Sequence, residues 1–60
     1  RSLWVVRDVP KGELLTAENV RSLRPAAGLH PYQYRAVLAC RATRDIPAGV
    51  PLVWDMVDTP

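Results

Sequence analysis

Apolar residues occur in short runs along this chain, and turn-forming proline and glycine interrupt them. The runs "SLWVV" and "ACRAT" lead into the triplets "PKG" and "PAG". Proline fixes φ at about −65° and glycine accepts positive φ, so both triplets favour tight turns. With six prolines and three glycines in sixty residues, the pattern predicts short strands joined by turns and no long helix.

The two runs open the two copies of an internal repeat. Aligned without gaps, residues 7–20 ("RDVPKGELLTAENV") match residues 44–57 ("RDIPAGVPLVWDMV") at an offset of 37 positions. Unrelated segments agree at fewer than about one residue in ten, so the match marks a repeated supersecondary unit. It predicts pseudo-two-fold symmetry. The identical pairs are Arg7/Arg44, Asp8/Asp45, Pro10/Pro47, Gly12/Gly49, Leu15/Leu52 and Val20/Val57.

One or two single-turn helices are predicted within this framework. Thr16 is a suitable N-cap, because its hydroxyl can accept hydrogen bonds from the amides of the "AEN" that follows. Gly28 permits a bend, and Pro31 suits the first turn of a helix because its missing N–H would be unpaired there. After Leu29, placed as a hydrophobic staple, three side chains share one helical face: Tyr34, Val37 and Leu38. The predicted fold class is compact and mostly β.

Composition limits the classes of protein to which this chain can belong. Its apolar share of 48% and charged share of 23% are typical of a folded domain. Eight basic residues are dispersed among six acidic ones, for a net charge of +2, so the basic stripe of a nucleic-acid-binding protein is missing. No apolar run approaches the roughly 20 residues that span a bilayer. We therefore expect neither a nucleic-acid nor a membrane partner.

The length of the chain allows one domain, residues 1–60, which buries only roughly 60% of the surface of its unfolded state. Domains this small usually depend on disulfides, a metal, a partner or a larger parent chain. The single cysteine excludes an internal disulfide, and one cysteine with one histidine is too few for structural zinc. Because the chain starts at Arg1 and not at a methionine, we expect a segment of a longer protein.

The sequence offers no recognisable catalytic constellation. No nucleophile elbow and no cysteine–histidine signature surrounds a serine or the cysteine. His30 precedes a proline, a position typical of a cap or surface group, and Cys40 lies in a predicted strand, where a thiol usually behaves as a small buried hydrophobe. Asp8 and Asp45 occupy equivalent turns and are interpreted as turn caps. We therefore predict no catalytic and no metal-binding residue in this chain.

Large or charged side chains are the remaining candidates for binding. In a domain this small, Trp4 and Trp54 are expected in the core, with Tyr32 the more exposed aromatic residue. In "VRSLRP", strand alternation places Leu23 on one side and Arg24 on the other, so Arg24 faces solvent if Leu23 faces the core. A planar guanidinium on a proline-stiffened turn suits a carbonyl or carboxylate oxygen. Spacing alone leaves Arg24 as either a ligand contact or a solvated surface residue.

Several segments together resemble one known family. The opening "RSL", the block "KGELLTAENVRSLRP", "GLHP" and "RDIPAGVPLVWD" are similar to the antifreeze-like, or SAF, domain that closes bacterial sialic acid synthases. The likeness covers essentially the whole chain. In particular, the chain resembles the synthases of pseudaminic-type and related nonulosonic acids. Two places depart from it. The family usually has glycine where this chain has Ala26, and Gly-Lys where it has Ala39 and Cys40.

The resemblance implies a β-clip fold of the type III antifreeze kind and a role in a larger enzyme. Such synthases condense phosphoenolpyruvate with an N-acetylated amino sugar and release phosphate. A preceding (β/α)₈ barrel, outside this chain, holds a divalent Mn or Mg ion and the catalytic groups. The SAF domain, itself not catalytic and without a cofactor, caps the partner subunit's barrel in a domain-swapped cytoplasmic homodimer. In the family, the arginine of the Arg-Pro motif contacts the sugar's N-acetyl group, and that position is Arg24.

Two other functions share this fold and are kept as alternatives. A stand-alone SAF module of a pilus or flagellar assembly protein would bind protein or glycan. An ice-binding protein would resemble fish type III antifreeze protein, whose ice face is flat and only weakly polar. Charged side chains occupy the corresponding stretch here and disfavour ice binding: Arg7, Asp8, Lys11 and Glu13.

Overall fold

The computed structural model describes residues 1–59 and contains two small antiparallel sheets. The strands are β1 (Ser2–Val5), β2 (Val20–Leu23), β3 (Arg41–Ala42), β4 (Val50–Pro51) and β5 (Val57–Asp58). One sheet has the order β2-β1-β4 and the other pairs β3 with β5. Helix α1 (Tyr34–Val37) directly follows a 3₁₀ helix, Pro31–Gln33, and a second 3₁₀ helix spans Trp54–Met56. The predicted mostly β fold with short strands is confirmed.

Backbone hydrogen bonds confirm the internal repeat and show how its two copies fit together. Val9 and Ile46, at equivalent positions, each donate an N–H to the other's carbonyl oxygen at 2.8 Å. The pseudo-two-fold axis therefore passes between them. Further bonds, all joining one copy to the other, occur in pairs offset by 37 residues: Gly12 N–H to Ala42 O (2.8 Å) with Gly49 N–H to Val5 O (2.7 Å), and Leu15 N–H to Cys40 O (2.8 Å) with Leu52 N–H to Leu3 O (2.9 Å).

The two equivalent aspartates cap each other's turns. Oδ1 of Asp8 accepts a hydrogen bond from the Ala48 N–H (2.9 Å), and Oδ1 of Asp45 accepts one from the Lys11 N–H (2.8 Å). Each carboxylate therefore stabilises the proline–glycine turn of the other copy, which confirms the capping interpretation. The glycine that ends each turn has a positive φ, 86° at Gly12 and 92° at Gly49. Glycine adopts this conformation readily because it has no Cβ.

Asp45→Ala is expected to lower the free energy of unfolding by about 1 kcal/mol, because the Lys11 N–H loses its partner. Asp8→Ala should have about the same effect, since the two caps are equivalent. Urea denaturation of the chain measures both changes. Asp58→Ala is the control, since Asp58 is exposed and its side chain makes no hydrogen bond within residues 1–59. A loss in Asp45→Ala no larger than in this control would contradict the capping role.

The hydrophobic core draws equally on the two copies. Among residues 1–59, the buried hydrophobic side chains include four pairs at equivalent positions: Val5/Ala42, Val9/Ile46, Leu15/Leu52 and Val20/Val57. The segment between the copies adds Val37 of α1, which is fully buried. Complete burial of an aliphatic side chain of this size stabilises a fold by about 1.5–3 kcal/mol. The repeat therefore supplies most of the core, and α1 covers it.

The start signals of both predicted helical turns are confirmed. Nδ1 of His30 accepts a hydrogen bond from the Tyr32 N–H (3.0 Å) and caps the 3₁₀ helix, whose first residue is Pro31. His30 is therefore a capping residue, one of the two roles expected of it. In the first copy, the Thr16 hydroxyl accepts from the Glu18 N–H (3.2 Å). Thr16 thus caps a hydrogen-bonded turn at residues 17–19.

Three side chains lie elsewhere than the sequence predicts. Trp54 is 43% exposed and lies outside the core, because it occupies the place of the exposed Ala17 in the other copy. Trp4 is only partly buried. Cys40 packs against the core without being enclosed by it, and its thiol donates to the Ala36 carbonyl oxygen (3.2 Å). Aliphatic side chains and Met56 fill this small core, so neither tryptophan is enclosed by it.

Ala39 is the non-glycine residue with positive φ among residues 1–59, at 72°. A side chain costs about 1–2 kcal/mol in this left-handed region, although glycine loses more backbone entropy on folding. Ala39→Gly is therefore expected to raise the free energy of unfolding by about 0.5–1 kcal/mol, measured by urea denaturation. Ala36→Gly, the same replacement inside α1, should lower it by about 1 kcal/mol. Changes of equal sign in the two variants would contradict this explanation.

Candidate functional site

The candidate binding residue, Arg24, lies in an exposed loop that follows β2. We call residues 24–28 the Arg24 loop. The Arg24 side chain is exposed, and it makes no hydrogen bond or ion pair with another of residues 1–59. Leu23 is 39% exposed and does not face the core, so strand alternation is not the reason for the exposure of Arg24. Arg24 is exposed because it lies in the loop after β2. Within the described part of the chain, the N–H groups of this guanidinium are therefore available to a ligand.

Two side chains of β1 hold the Arg24 loop in place. The Pro25 carbonyl oxygen accepts hydrogen bonds from the Trp4 indole N–H (3.0 Å) and the Ser2 hydroxyl (3.3 Å). The same hydroxyl accepts a hydrogen bond from the Ala27 N–H (3.0 Å). Ser2 is only 1% exposed, so little water competes for its hydroxyl. These bonds fix the peptide groups on both sides of Ala26.

The loop ends at Gly28, which lies against the backbone that follows β4. A Cβ on Gly28 would come within 2.5 Å of the Leu52 carbonyl oxygen. The next residue closes the loop, because the Leu29 N–H donates to that same oxygen (2.8 Å) and the Leu29 carbonyl accepts from the Leu3 N–H (2.8 Å). The predicted bend is not what requires glycine, since Gly28 has no positive φ. Close packing of two backbones requires it.

Ala26 stands where the resemblance leads us to expect glycine. Its φ lies outside the left-handed region, since Ala39 is the non-glycine residue with positive φ in the described chain. Alanine therefore adopts the backbone conformation of the Arg24 loop without the strain that a positive φ would impose. The substitution is compatible with a loop that presents Arg24.

A concave feature lies on the pseudo-two-fold axis, apart from the Arg24 loop. It is a shallow, open groove of about 380 Å³, lined by equivalent residues of the two copies: Asp8, Val9 and Pro10 with Asp45, Ile46 and Pro47. No residue of the Arg24 loop lines it, and its two carboxylates accept the turn hydrogen bonds. Within residues 1–59, no group of three His, Cys, Asp or Glu side chains could hold a metal ion. The groove is explained by the symmetry of the fold.

Neither Ser2 nor Trp4 is predicted from the sequence as an anchor of the Arg24 loop. More than twenty positions separate them from the residues they bind, and the pairing of β1 with β2 brings them together. The positions equivalent to Ser2 and Trp4 in the second copy hold Ala39 and Arg41, but the neighbouring Leu3 is replaced as well. Comparison of the copies therefore does not single out the two anchors.

The fold and the site together define a small pseudo-two-fold β domain that presents one arginine on a firmly held loop. Residues 1–58 match the SAF domain, and the chain belongs to the SAF domain family. Among its relatives, the pseudaminic acid synthase of Helicobacter pylori is 43% identical over 58 residues, which are 97% of this chain and 17% of that protein. The resemblance to the SAF domains of sialic acid synthases is confirmed.

Two further relatives have related names. The pseudaminic acid synthase of Campylobacter jejuni is 47% identical over 49 residues, 82% of this chain and 14% of that protein. The N,N'-diacetyllegionaminic acid synthase of Legionella pneumophila is 29% identical over 58 residues, 97% of this chain and 16% of that protein. The chain thus spans less than a fifth of the length of these relatives. Within residues 1–59, no helix has the length and apolar character needed to cross a membrane.

Proposed function

We propose that this chain is the substrate-capping domain of a synthase that condenses phosphoenolpyruvate with an N-acetylated amino sugar. The observation that carries the proposal is Arg24, an exposed guanidinium on a loop held by side chains of β1. The relatives support the reaction class, since they are named as synthases of pseudaminic acid and of a legionaminic acid with two N-acetyl groups.

In the proposed complex, Arg24 binds the carbonyl oxygen of the sugar's N-acetyl group. That oxygen carries partial negative charge, and a hydrogen bond from a charged donor is roughly twice as strong as one between neutral groups. The planar guanidinium offers several N–H groups in a fixed fork, which suits an amide oxygen better than a flexible ammonium would. Docking of the domain over the bound sugar excludes water and strengthens this bond further.

The groups that perform the reaction belong to another part of the proposed synthase. A (β/α)₈ barrel of the partner subunit in a homodimer holds phosphoenolpyruvate and a divalent Mn or Mg ion. Residues 1–59 do not fit such an ion, because they contain no cluster of three ligand side chains. In this proposal the present chain contributes sugar binding and exclusion of water. Location of the parent enzyme in the cytoplasm is part of the same proposal.

The relatives favour this function over the two alternatives with the same fold. A stand-alone module of pilus or flagellar assembly and an ice-binding protein would also contain a SAF-type domain. The relatives reported above are named as synthases instead. Ice binding is further disfavoured because four charged side chains beside the first turn are exposed: Arg7, Asp8, Lys11 and Glu13.

Steady-state kinetics of the full-length protein test the proposal. Phosphate release is followed with phosphoenolpyruvate and an N-acetylated amino sugar, each varied in turn, for the unaltered protein and for Arg24→Ala. An effect of the replacement that is confined to the sugar supports the capping role. Absence of condensation by the unaltered protein, or identical sugar kinetics in the variant, would contradict it.

A further inference from the structure

We propose that Ser2 and Trp4 are positioning residues, which hold Arg24 where it meets the N-acetyl group. The inference rests on the proposed function of Arg24. Neither side chain has to touch the sugar, since both act on the backbone of the Arg24 loop. Three hydrogen bonds carry the inference: Trp4 to Pro25 (3.0 Å), Ser2 to Pro25 (3.3 Å) and Ala27 to Ser2 (3.0 Å).

The Pro25 carbonyl is the central group of this arrangement. A carbonyl oxygen has two lone pairs, and here both have a donor, the Trp4 indole N–H and the Ser2 hydroxyl. The peptide group that links Pro25 to Ala26 is thereby fixed in orientation. Since this group begins one residue after Arg24, fixing it restrains the backbone from which the long arginine side chain extends.

The Ser2 hydroxyl adds a second constraint, because it is both donor and acceptor. It donates to the Pro25 carbonyl and accepts from the Ala27 N–H, so one side chain holds the peptide groups on both sides of Ala26. Ser2 itself is only 1% exposed, and loss of its hydroxyl would leave the Ala27 N–H without this acceptor and the Pro25 carbonyl oxygen with one donor fewer.

The internal repeat separates a role in binding from a role in folding. The equivalents of Ser2 and Trp4 in the second copy are Ala39, which precedes β3, and Arg41, the first residue of β3. A strand therefore forms with arginine in place of the tryptophan, so the indole is not needed for strand pairing. The first copy differs in that the Arg24 loop follows it, and both of its distinctive side chains bind that loop.

Loss of an anchor should appear in the sugar kinetics alone. A loop that is held less firmly presents Arg24 correctly for a smaller fraction of the time, and the apparent affinity falls by that fraction. We expect Trp4→Phe, which removes the indole N–H and keeps an aromatic ring, to raise KM for the sugar about 3–10-fold, as loss of one hydrogen bond implies. Ser2→Ala should raise it at least as much. KM for phosphoenolpyruvate should be unchanged in both variants.

The experiment is a double-mutant cycle in the full-length protein, with Trp4→Phe, Arg24→Ala and the combination of both. If Trp4 acts through Arg24, Trp4→Phe has no further effect on sugar KM once Arg24 is alanine. Thr43→Val is the matched control, because the Thr43 hydroxyl donates to the Asp55 carbonyl oxygen (2.6 Å) away from the loop. Its sugar KM should equal that of the unaltered protein. Because Ser2→Ala removes a buried group, the Tm of every variant is recorded alongside.

The outcomes distinguish this inference from the proposed function. If Arg24→Ala raises sugar KM while Trp4→Phe and Ser2→Ala do not, the positioning role is wrong and the function of Arg24 stands. An effect of Trp4→Phe that persists in full in the Arg24→Ala background, or that Thr43→Val reproduces, also overturns the positioning role. If Arg24→Ala itself leaves sugar KM unchanged, the proposed function fails and the positioning role fails with it.

Discussion

Under the proposed function, Arg24→Ala in the full-length protein should raise KM for the N-acetylated sugar about 10–100-fold and leave KM for phosphoenolpyruvate within about two-fold. A hydrogen bond to a charged group contributes roughly 1.5–3 kcal/mol, and each 1.4 kcal/mol corresponds to about a factor of ten. Since Arg24 is exposed and bonds to no other residue of 1–59, the replacement should not lower the Tm. The loss therefore reports on binding and not on folding.

Two controls make this result specific. Arg21→Ala removes the same charge from an exposed position three residues earlier on β2, and its sugar KM should stay within about two-fold of the unaltered protein. A sugar analogue with a free amine in place of the N-acetyl group removes the proposed acceptor, so Arg24→Ala should lose most of its effect with it. An equal loss with both sugars would contradict the contact with the N-acetyl oxygen.

Gly28→Ala is expected to lower the free energy of unfolding by about 1–3 kcal/mol, the cost typical of overpacking. A Cβ would lie 2.5 Å from the Leu52 carbonyl oxygen and 3.1 Å from Cβ of Pro51. The oxygen cannot simply move away, because it accepts the Leu29 N–H. For a domain of this size, whose total stability is rarely above about 5 kcal/mol, such a loss is a large fraction.

Urea denaturation measures the effect of Gly28→Ala against Ala26→Gly, which exchanges the same two residue types within the Arg24 loop. Because Ala26 has no positive φ, Ala26→Gly should change stability by less than about 1 kcal/mol. In the full-length protein, Gly28→Ala should also raise sugar KM, because the closed end of the loop has to shift. Stability of Gly28→Ala equal to that of the unaltered chain would show that the Leu52 backbone yields freely.

The repeat made much of the fold predictable. Turn residues such as Gly12 and Gly49 carry their conformational reason within three or four positions, and so do the caps at Thr16 and His30. The partners of Asp8 and Asp45 were not predictable, because each carboxylate binds a turn more than thirty positions away. Local spacing shows that a turn needs a cap, but only the arrangement of the two copies shows which aspartate provides it.

The candidate site also combines features that are visible in the sequence with features that only the fold shows. The chemistry of Arg24 and the stiffness of Pro25 were visible in the sequence, whereas Ser2 and Trp4 became visible only through the register of β1 with β2. Trp54 was misplaced because size alone suggested the core. Its position in the repeat is equivalent to Ala17, whose exposure only the structure shows.

The reciprocal turn caps also determine how the domain folds. Asp45 closes a turn that begins at Pro10, and Asp8 closes one that begins at Pro47, so neither half of the chain contains all the hydrogen bonds that its own turns need. One half that forms alone therefore gains little stability from hydrogen bonds, and the two halves become stable only together. Folding should therefore be a single cooperative transition of high contact order, in which the sixty residues behave as a two-fold dimer whose subunits share one chain.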